Sequence, residues 1–399
     1  MKLIQSHKKT VKLQLNRDLV RIIKQGHPWV FADALKARPS APAGSHAILH
    51  DHKQGREVAK GFYDPHSPLA FRVCTPEPAE PLNDSWAETR LNRALDLRRM
   101  FFNEQTTGYR LLNGEGDGLP GLICDVYGDT AVLQLDGAGP AGFWHIQGVA
   151  GRIAEKLSLA AVYQKGRTPD DDKSGVLVGR TPGEPVPFLE NGISFTANVI
   201  KGQKTGFFLD QRENRRLVQT VAARRRVLNV FGYTGGFSIY AGLGGAAHVT
   251  TVDLAAPALE VAQYHWRLNN LPPTNHATAQ ADAFAFLEES ARRKKTWDLV
   301  IVDPPSFAPS KKAVKQALAA YHKLIAAAAA VTAPIGLLAA ASCSSHVDLP
   351  MFLSACESGI STARRRATVL QIKGQPPDHP TPLPFEEGRY LKFVLMRVE

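Results

Sequence analysis

"RVLNVFGYTGGFSIYAGLGGAAHVTTVDL", Arg226–Leu254, is the stretch that decides the fold. An apolar run ends in a glycine-rich loop, a helix-like segment follows, and a second apolar run ends in an acid. The same alternation continues along the chain, through the strand-like runs "WDLVIVDPP" and "GLLAAASC". Strands that alternate with helices form βαβ units, which build a parallel sheet with helices on both faces. The sequence therefore predicts an α/β, Rossmann-like domain in its second half.

The first half of the chain has a different pattern. Residues 1–74 combine turn residues with aromatic and β-branched runs, as in "GFYDPHSPLAFRVC" (Gly61–Cys74), and predict a small β domain. The Pro-rich stretch Thr75–Asp84 is typical of a linker. Ser85 and Glu88 have the spacing of a capping box, which predicts a helix from Ser85 to about Phe102. Turn residues between strand-like runs predict a mixed, β-rich segment over residues 107–200.

Positive charge is concentrated near the start of this 399-residue chain, whose net charge is +11. Residues 1–60 carry 12 lysines and arginines against 4 acidic residues. Such a block suits the phosphate backbone of a nucleic acid, although a basic, solvated surface would give the same count. The longest apolar run, residues 324–341, is interrupted by Thr332, Pro334 and Gly336. It predicts a buried helix, a turn and a buried strand, because a membrane helix needs about 20 predominantly apolar residues.

Four cysteines, Cys74, Cys124, Cys343 and Cys356, are scattered along the chain. They lack the CxxC and Cys/His spacings of zinc sites, and their separation argues against a disulfide framework. Free thiols in a reducing cytoplasm are therefore expected. Three consecutive aspartates, Asp170 to Asp172, predict an exposed acidic loop, and we expect no metal site.

Unusual residues fall in the loops after the predicted strands, and ligands bind at the carboxyl edge of such sheets. Gly232, Gly235 and Gly236 follow a strand and open a helix, where backbone can approach a ligand closely. Thr234 breaks the dinucleotide pattern GxGxxG. Asp253, at the end of the next strand, can accept hydrogen bonds from ribose hydroxyls. Together these residues favour a nucleoside cofactor without a pyrophosphate, and S-adenosylmethionine over NAD.

Three further residues follow predicted strands. Asp282 can either reach an adenine ring or cap the helix that follows it. Asp303, which precedes two prolines in "VIVDPPSF", is typical of methyltransferases that act on nitrogen or on nucleobases. Cys343 ends the next strand and is either a core thiol, as expected for the other three cysteines, or a nucleophile. A thiolate that adds to C6 of a pyrimidine makes C5 nucleophilic, which is covalent catalysis.

Taken together, these motifs resemble those of a known family, the bacterial 23S ribosomal RNA cytosine-C5 methyltransferases that carry an N-terminal PUA domain. The resemblance covers almost the whole chain and is carried by "GHPWVF", "GFYDPHSPLAFRV", "YRLLNGEGDGLPGLICDVYGD", "GQKTGFFLDQRENR", "NVFGYTGGFS", "VDPPSF", "SCSSHV" and "GQPPDHP…EGRYLKF". It implies a PUA-like RNA-binding domain over residues 1–75, a central α+β domain over 76–200 and a Rossmann-like class I methyltransferase domain over 201–399. It also implies S-adenosylmethionine as cofactor, 23S ribosomal RNA as substrate and a homodimer.

The resemblance implies roles for individual residues as well. Cys343 would be the nucleophile, Asp303 would orient the cytosine, and Asp210 with Gln211 would cap the methionine end of the cofactor. The residues implied to line the cofactor are Gly232, Tyr233, Gly235, Asp253 and Asp282. The PUA stretch around Trp29 would help to hold RNA, and we expect the basic residues Lys12, Arg21 and Lys24 to contact phosphates.

Two other functions stay open at this point. A base-nitrogen methyltransferase, for example one acting at guanine N7, would share the sheet and Asp303 but would need no thiol. A non-catalytic RNA-binding assembly factor could retain the cofactor loop. Many RNA cytosine-C5 methyltransferases have a second cysteine beside the Asp-Pro motif, whereas here Ser306 follows Pro305. The sequence therefore leaves open which group removes the C5 proton, a water or a nearby carboxylate.

Overall fold

The apolar runs fold into four β-sheets, seen in a computed structural model that describes residues 1–7, 9–166 and 174–399. Asp170 to Asp172, the acidic run noted above, lie outside the described residues. The chain divides into two compact units, one of Met1–Leu209 with Pro377–Gly388 and one of Asp210–Pro376 with Arg389–Glu399. The three-domain division expected from the sequence stays a prediction, because a division into two compact units is coarser than a division into three domains.

The first unit contains twelve strands in three sheets within the part of the chain that the structure describes. A five-stranded sheet has the order β1-β3-β4-β5-β2, a second the order β10-β9-β8-β7-β6, and β11 pairs with β12. The strands are β1 Val11–Gln14, β2 Trp29–Phe31, β3 Ser45–His50, β4 Glu57–Tyr63, β5 Leu69–Thr75, β6 Gly108–Asn113, β7 Leu122–Tyr127, β8 Thr130–Leu135, β9 Ala161–Gln164, β10 Gly175–Gly179, β11 Val186–Glu190 and β12 Ile193–Ala197. The helices are α1 Val20–Lys24, α2 Asp84–Phe101, α3 Ala138–Phe143 and α4 Ile146–Leu157.

Helix α2 begins earlier than the sequence predicted. Its N-cap is Asn83, whose side-chain oxygen accepts a hydrogen bond from the backbone N–H of Trp86 at 3.0 Å. Ser85 therefore lies inside the first turn, and the predicted capping box of Ser85 with Glu88 is wrong. Asparagine is as good an N-cap as serine, and here it is the residue with extended backbone before the first turn.

The second unit holds one seven-stranded sheet with the order β15-β14-β13-β16-β17-β19-β18. Its strands are β13 Arg226–Val230, β14 His248–Asp253, β15 His276–Gln280, β16 Trp297–Val302, β17 Thr332–Ser342, β18 Ala367–Lys373 and β19 Lys392–Val398. Its helices are α5 Arg212–Val221, α6 Gly236–Leu243, α7 Ala256–Leu268, α8 Ala283–Arg292, α9 Val314–Val331 and α10 Leu349–Thr362. The first five strands are parallel, and β19 runs antiparallel to both of its neighbours.

Strand burial and helix periodicity explain this architecture. In β16 all residues except Asp298 are buried, as expected for a central strand covered on both faces. Helix α9 buries Ala317, Tyr321, Leu324 and Ala328, a spacing that presents one face to the sheet. The strand order reverses between β13 and β16, and the carboxyl ends of these two strands mark the expected ligand edge.

The alanine-rich run was predicted to contain a turn between helix and strand, and that prediction is wrong. Strand β17 begins at Thr332, immediately after α9, and the residues between Thr332 and Leu337 form an irregularity in its pairing with β16. Ile335 is 70% exposed with φ +59°, so it lies outside the ladder. The strand thus absorbs Pro334 and Gly336 as a bulge. Among the described residues, no helix is long and apolar enough to span a membrane.

Candidate active site at the carboxyl edge of the parallel sheet

The glycine loop between β13 and α6 is built for close backbone approach. A Cβ at Gly232 would lie 2.4 Å from Cγ2 of Thr251, and one at Gly235 would lie 2.8 Å from Cβ of Ala262. Gly235 also has φ +81°, a left-handed conformation that favours glycine. The loop therefore packs directly on the next βα unit, and the first turn of α6 faces the sheet edge with its backbone N–H groups.

Asp253, at the end of β14, anchors this loop. One carboxylate oxygen accepts the backbone N–H of Tyr233 at 2.8 Å, and the other accepts that of Ala255 at 2.9 Å. Each oxygen retains a second lone pair, so the carboxylate can also accept hydrogen bonds from a ligand. The structure thus brings Gly232, Tyr233 and Asp253 together, as the sequence predicted. Their role in holding a cofactor stays a prediction.

Asp282 lies one strand further along the sheet edge, after β15. Its side chain is exposed and accepts a hydrogen bond from the backbone N–H of Ala285 at 3.0 Å. The helix-capping interpretation of Asp282 is therefore confirmed. Contact with an adenine ring remains compatible with this geometry, because the second carboxylate oxygen is not used by the cap.

A polar cluster connects the start of α5 to the end of β16. Asp210 and Gln211 are both 3% exposed, and the amide of Gln211 donates to a carboxylate oxygen of Asp303 at 2.9 Å. The hydroxyl of Tyr390 donates to Asp210 at 2.7 Å. Gln211, expected at the methionine end of the cofactor, is thus linked to the residue expected to orient the base, and Asp210 is linked to Tyr390. Tyr390 stands in the motif "EGRYLKF", but no role was predicted for it.

Cys343 directly follows β17 and is half-buried, next to the loop that carries Asp303. Its Sγ lies 4.0 Å from the backbone carbonyl oxygen of Pro304. The other three cysteines are buried, and burial raises the pKa of Cys356 to about 12. Cys343 is therefore the cysteine with access to the sheet edge, whereas Cys356 stays protonated in the core.

Hydroxyl groups surround the segment after Cys343. The buried Ser344 hydroxyl lies 2.9 Å from the hydroxyl of Tyr321 and 3.1 Å from that of Ser306. Ser306, which follows Pro305, is thus tied into this cluster. The backbone carbonyl of Ser344 accepts a hydrogen bond from Nζ of Lys392 at 2.6 Å. Lys392 was missed by sequence reasoning, although a lysine inside the apolar run "YLKFVLM" was a usable signal.

The residues expected to bind RNA lie in the first unit. Lys12 on β1 and Arg21 with Lys24 on α1 are exposed. Trp29 on β2 is half-buried, and its indole N–H donates to Glu115 at 2.8 Å. Its ring lies 4.5 Å from that of Phe385, edge-on. Much of the Trp29 side chain is therefore committed to packing within its own unit.

The donor set at this edge fits a nucleoside cofactor. Across residues 1–7, 9–166 and 174–399, no group of three or more histidine, cysteine or carboxylate side chains is placed to hold a metal ion. Three features suit a ligand with ribose and amino-acid parts. They are a glycine loop without room for a Cβ at Gly232 or Gly235, a carboxylate at the end of β14, and buried polar groups near the end of β16. These features define a Rossmann-like methyltransferase fold, with the strand order typical of that class.

Comparison with known proteins agrees with this fold. A model of S-adenosylmethionine-dependent methyltransferases matches residues 151–384, and a model of PUA-like domains matches residues 13–76. A relative from Deinococcus radiodurans named "Ribosomal RNA large subunit methyltransferase" is 38% identical over 98% of both chains. Another from Shewanella denitrificans, "Ribosomal RNA large subunit methyltransferase I", is 32% identical over 97% of this chain and 99% of its own.

Solved structures give the same result. A proposed SAM-dependent methyltransferase from Streptococcus mutans superposes with a TM-score of 0.85 at 26% identity. The match covers 97% of this chain and 100% of that one. A proposed methyltransferase complexed with SAH superposes with a TM-score of 0.86, also at 26% identity and with 97% and 100% coverage. The chain belongs to the family of S-adenosylmethionine-dependent methyltransferases that includes these large-subunit ribosomal RNA methyltransferases, and it carries their PUA-like domain.

Proposed function

We propose that this enzyme forms 5-methylcytosine in 23S ribosomal RNA, with Cys343 as the covalent nucleophile. The observation that carries the proposal is the position of Cys343 beside the Asp303 loop. Cys343 and Asp303 follow neighbouring parallel strands, and the sulfur lies 4.0 Å from the carbonyl oxygen of Pro304. A thiol and a carboxylate on one rim are the groups that addition to a cytosine ring requires. Relatives named for large-subunit ribosomal RNA support the choice of substrate.

In the proposed reaction the thiolate of Cys343 adds to C6 of cytosine, which places electron density on C5. Asp303, held by Gln211, would orient the ring through its amino group and N3. S-adenosylmethionine supplies an electrophilic methyl group when bound, and the residues that would hold it are Gly232, Tyr233, Gly235, Asp253, Asp282, Asp210 and Gln211. Once C5 carries the methyl group, a water or a nearby carboxylate takes the C5 proton, and the electron pair of the broken C–H bond expels the thiolate from C6 and restores the aromatic ring.

The test is covalent trapping with RNA that contains 5-fluorocytosine at the target. The wild-type enzyme should form a denaturant-resistant adduct, and Cys343→Ala should form none and should not methylate. Cys356→Ala is the matched control, because it removes a buried cysteine from the same unit. Methylation that survives Cys343→Ala would favour a base-nitrogen methyltransferase instead. Failure of the wild-type protein to bind S-adenosylmethionine in calorimetry would favour a non-catalytic assembly factor.

The RNA partner is proposed to contact the first unit through Lys12, Arg21 and Lys24. Reversing all three charges should weaken RNA binding and lower the slope of log K against log salt by up to about 3, at roughly 0.9 per lost phosphate contact. Reversal at Arg292, Arg293 and Lys294, exposed at the end of α8, is the control with the same change in net charge. Equal losses in the two triple variants would mean that only net charge matters.

We further infer a homodimer in the cytoplasm. Strand β18 ends the sheet order and exposes Val369, Leu370 and Ile372 by 47%, 50% and 44%. An apolar edge strand is a template for pairing with a second copy. Sedimentation should show a dimer that Leu370→Lys shifts to monomer, and an unchanged dimer would place the interface elsewhere.

The four free cysteines suit a reducing compartment, which fractionation of cells would check.

A further inference from the structure

Lys392 is a cation in an unexpected place. It begins β19, the strand beside β17, and only 4% of its surface is exposed. Around it, β17 is buried from Gly336 to Ser342 and β19 from Phe393 to Met396, and these residues are mostly apolar. Burying an ammonium group costs several kcal/mol, by an order-of-magnitude estimate, unless the group is compensated. A lysine retained there needs an explanation beyond packing.

The contacts of Lys392 surround Cys343. Its backbone pairs with Ser342, the residue before Cys343, and its Nζ donates to the carbonyl of Ser344, the residue after it, at 2.6 Å. A second hydrogen bond goes to the carbonyl of Tyr390 at 2.8 Å. Lys392 therefore contacts the residues on both sides of Cys343, where a positive charge favours a thiolate over a thiol.

We propose that Lys392 is a positioning residue whose ammonium group holds the sulfur of Cys343 as a thiolate. The S–H bond of Cys343 breaks, its proton goes to solvent water, and an ammonium–thiolate pair results. This inference rests on the proposed function, because it matters only if Cys343 is the nucleophile. An ammonium group has three N–H donors, and the two carbonyls use two of them.

The electrostatics of the neighbourhood agree with this pairing. Burial lowers the pKa of Lys392 to about 8, while negative charge on Cys343 and then on Asp348 opposes that lowering. A group with this pKa is mostly an ammonium at neutral pH, and a positive charge favours a neighbouring thiolate. Tyr321, which faces Ser344 from α9, has its pKa raised by burial and stays protonated at neutral pH. Asp303, at the end of the neighbouring strand, is a further ionisable group on this rim.

A purely structural alternative is that Lys392 only ties down two carbonyl groups. Lys392→Gln separates the two roles, because an amide can still donate to a carbonyl but carries no charge. Lys392→Arg retains the positive charge. The readout is the rate of alkylation of Cys343 by iodoacetamide as a function of pH, followed by mass spectrometry of its peptide, since only the thiolate reacts.

We expect the midpoint of the alkylation profile to rise by about one pH unit in Lys392→Gln, a roughly tenfold slower reaction at pH 7. Lys392→Arg should restore a profile close to that of the wild-type protein. S-adenosylmethionine affinity, measured by calorimetry, reports whether each variant is folded. Superimposable profiles for wild type and Lys392→Gln would overturn the proposal.

A second measurement needs no change at Lys392. In protein labelled with 13C at the lysine ε-carbons, Cys343→Ser should lower the pH at which the Lys392 resonance titrates, because the coupling is reciprocal. An unchanged titration would also overturn the proposal. Failure of the proposed function is a separate result, namely that wild-type enzyme forms no adduct with 5-fluorocytosine RNA although its alkylation profile depends on Lys392.

Discussion

Gly232→Ala should impair cofactor binding through a single steric contact. The new Cβ would lie 2.4 Å from Cγ2 of Thr251, whereas carbon atoms in contact normally sit about 3.5 to 4.0 Å apart. The loop or Thr251 must therefore move by about 1 Å. Overpacking of this kind costs about 1–3 kcal/mol. If the loop must regain its original position to bind S-adenosylmethionine, affinity should fall by roughly 5- to 150-fold, since about 1.4 kcal/mol corresponds to tenfold.

Thr251→Ser removes the methyl group that clashes and keeps the hydroxyl that bonds to Ser238 at 2.7 Å. Alone it should cost about 1 kcal/mol of stability, the usual effect of removing one buried methyl group. Combined with Gly232→Ala it should restore part of the affinity, with a coupling energy of at least about 1 kcal/mol. Recovery should be incomplete, because the added Cβ would still lie 3.1 Å from Nδ2 of Asn229.

Calorimetric titration with S-adenosylmethionine and thermal unfolding of all four proteins measure this cycle. Gly183→Ala is the matched control, because its added methyl group would meet nothing within 4 Å. Wild-type affinity in Gly232→Ala would refute the steric reasoning. A double variant no better than Gly232→Ala would show that the loop is strained for a reason other than Thr251.

Burial lowers the pKa of His276 to about 4, whereas a histidine in the unfolded chain has a pKa of about 6.5. The unfolded chain is therefore protonated first as the pH falls. The stability that this difference contributes above pH 6.5 is lost between pH 6.5 and pH 4. Between pH 7 and 5 this should amount to about 2 kcal/mol, and denaturant titrations should show a smaller pH dependence for His276→Phe. Tyr390→Phe removes a hydrogen bond to the buried Asp210. It should lower the free energy of unfolding by about 1–3 kcal/mol and weaken S-adenosylmethionine binding. An unchanged stability and affinity would show that Asp210 is satisfied by its other contacts. Arg98 and Asp117 form an ion pair with side chains 3% and 2% exposed, so Asp117→Asn should destabilise the first unit by about 3 kcal/mol without changing S-adenosylmethionine affinity.

Local pattern was sufficient for the parts of the site that lie close together in sequence. The loop from Gly232 to Gly235 and the acid at Asp253 could be assigned because each directly follows an apolar strand, and strand, loop and helix are adjacent in the chain. The cap at Asp282 followed from the same local chemistry. The capping box at Ser85 failed because Asn83, two residues earlier, offers an equally good side chain, and the sequence pattern does not rank the two.

The groups that the sequence did not reveal come from the end of the chain. Tyr390 and Lys392 stand about fifty residues beyond Cys343, with α10 and β18 between, so no spacing rule connects them to the site. Their position depends on β19 lying between β17 and β18. That strand order is determined by strand pairing and side-chain burial over the whole sheet. A lysine in an apolar strand indicates a buried cation, but its partner becomes visible only with the strand order.

The antiparallel direction of β19 is what makes these residues part of the candidate site. In a wholly parallel sheet every strand would bring its carboxyl end to the ligand edge, and a residue at the start of a strand would lie at the opposite edge. Because β19 runs the other way, its first residue pairs with Ser342, the last residue of β17. The segment just before β19 thereby supplies Tyr390 to Asp210, and Lys392 reaches the carbonyl of Ser344. A reversed strand thus adds a hydroxyl and an amine to an edge that the parallel strands supply mainly with carboxylates and one thiol.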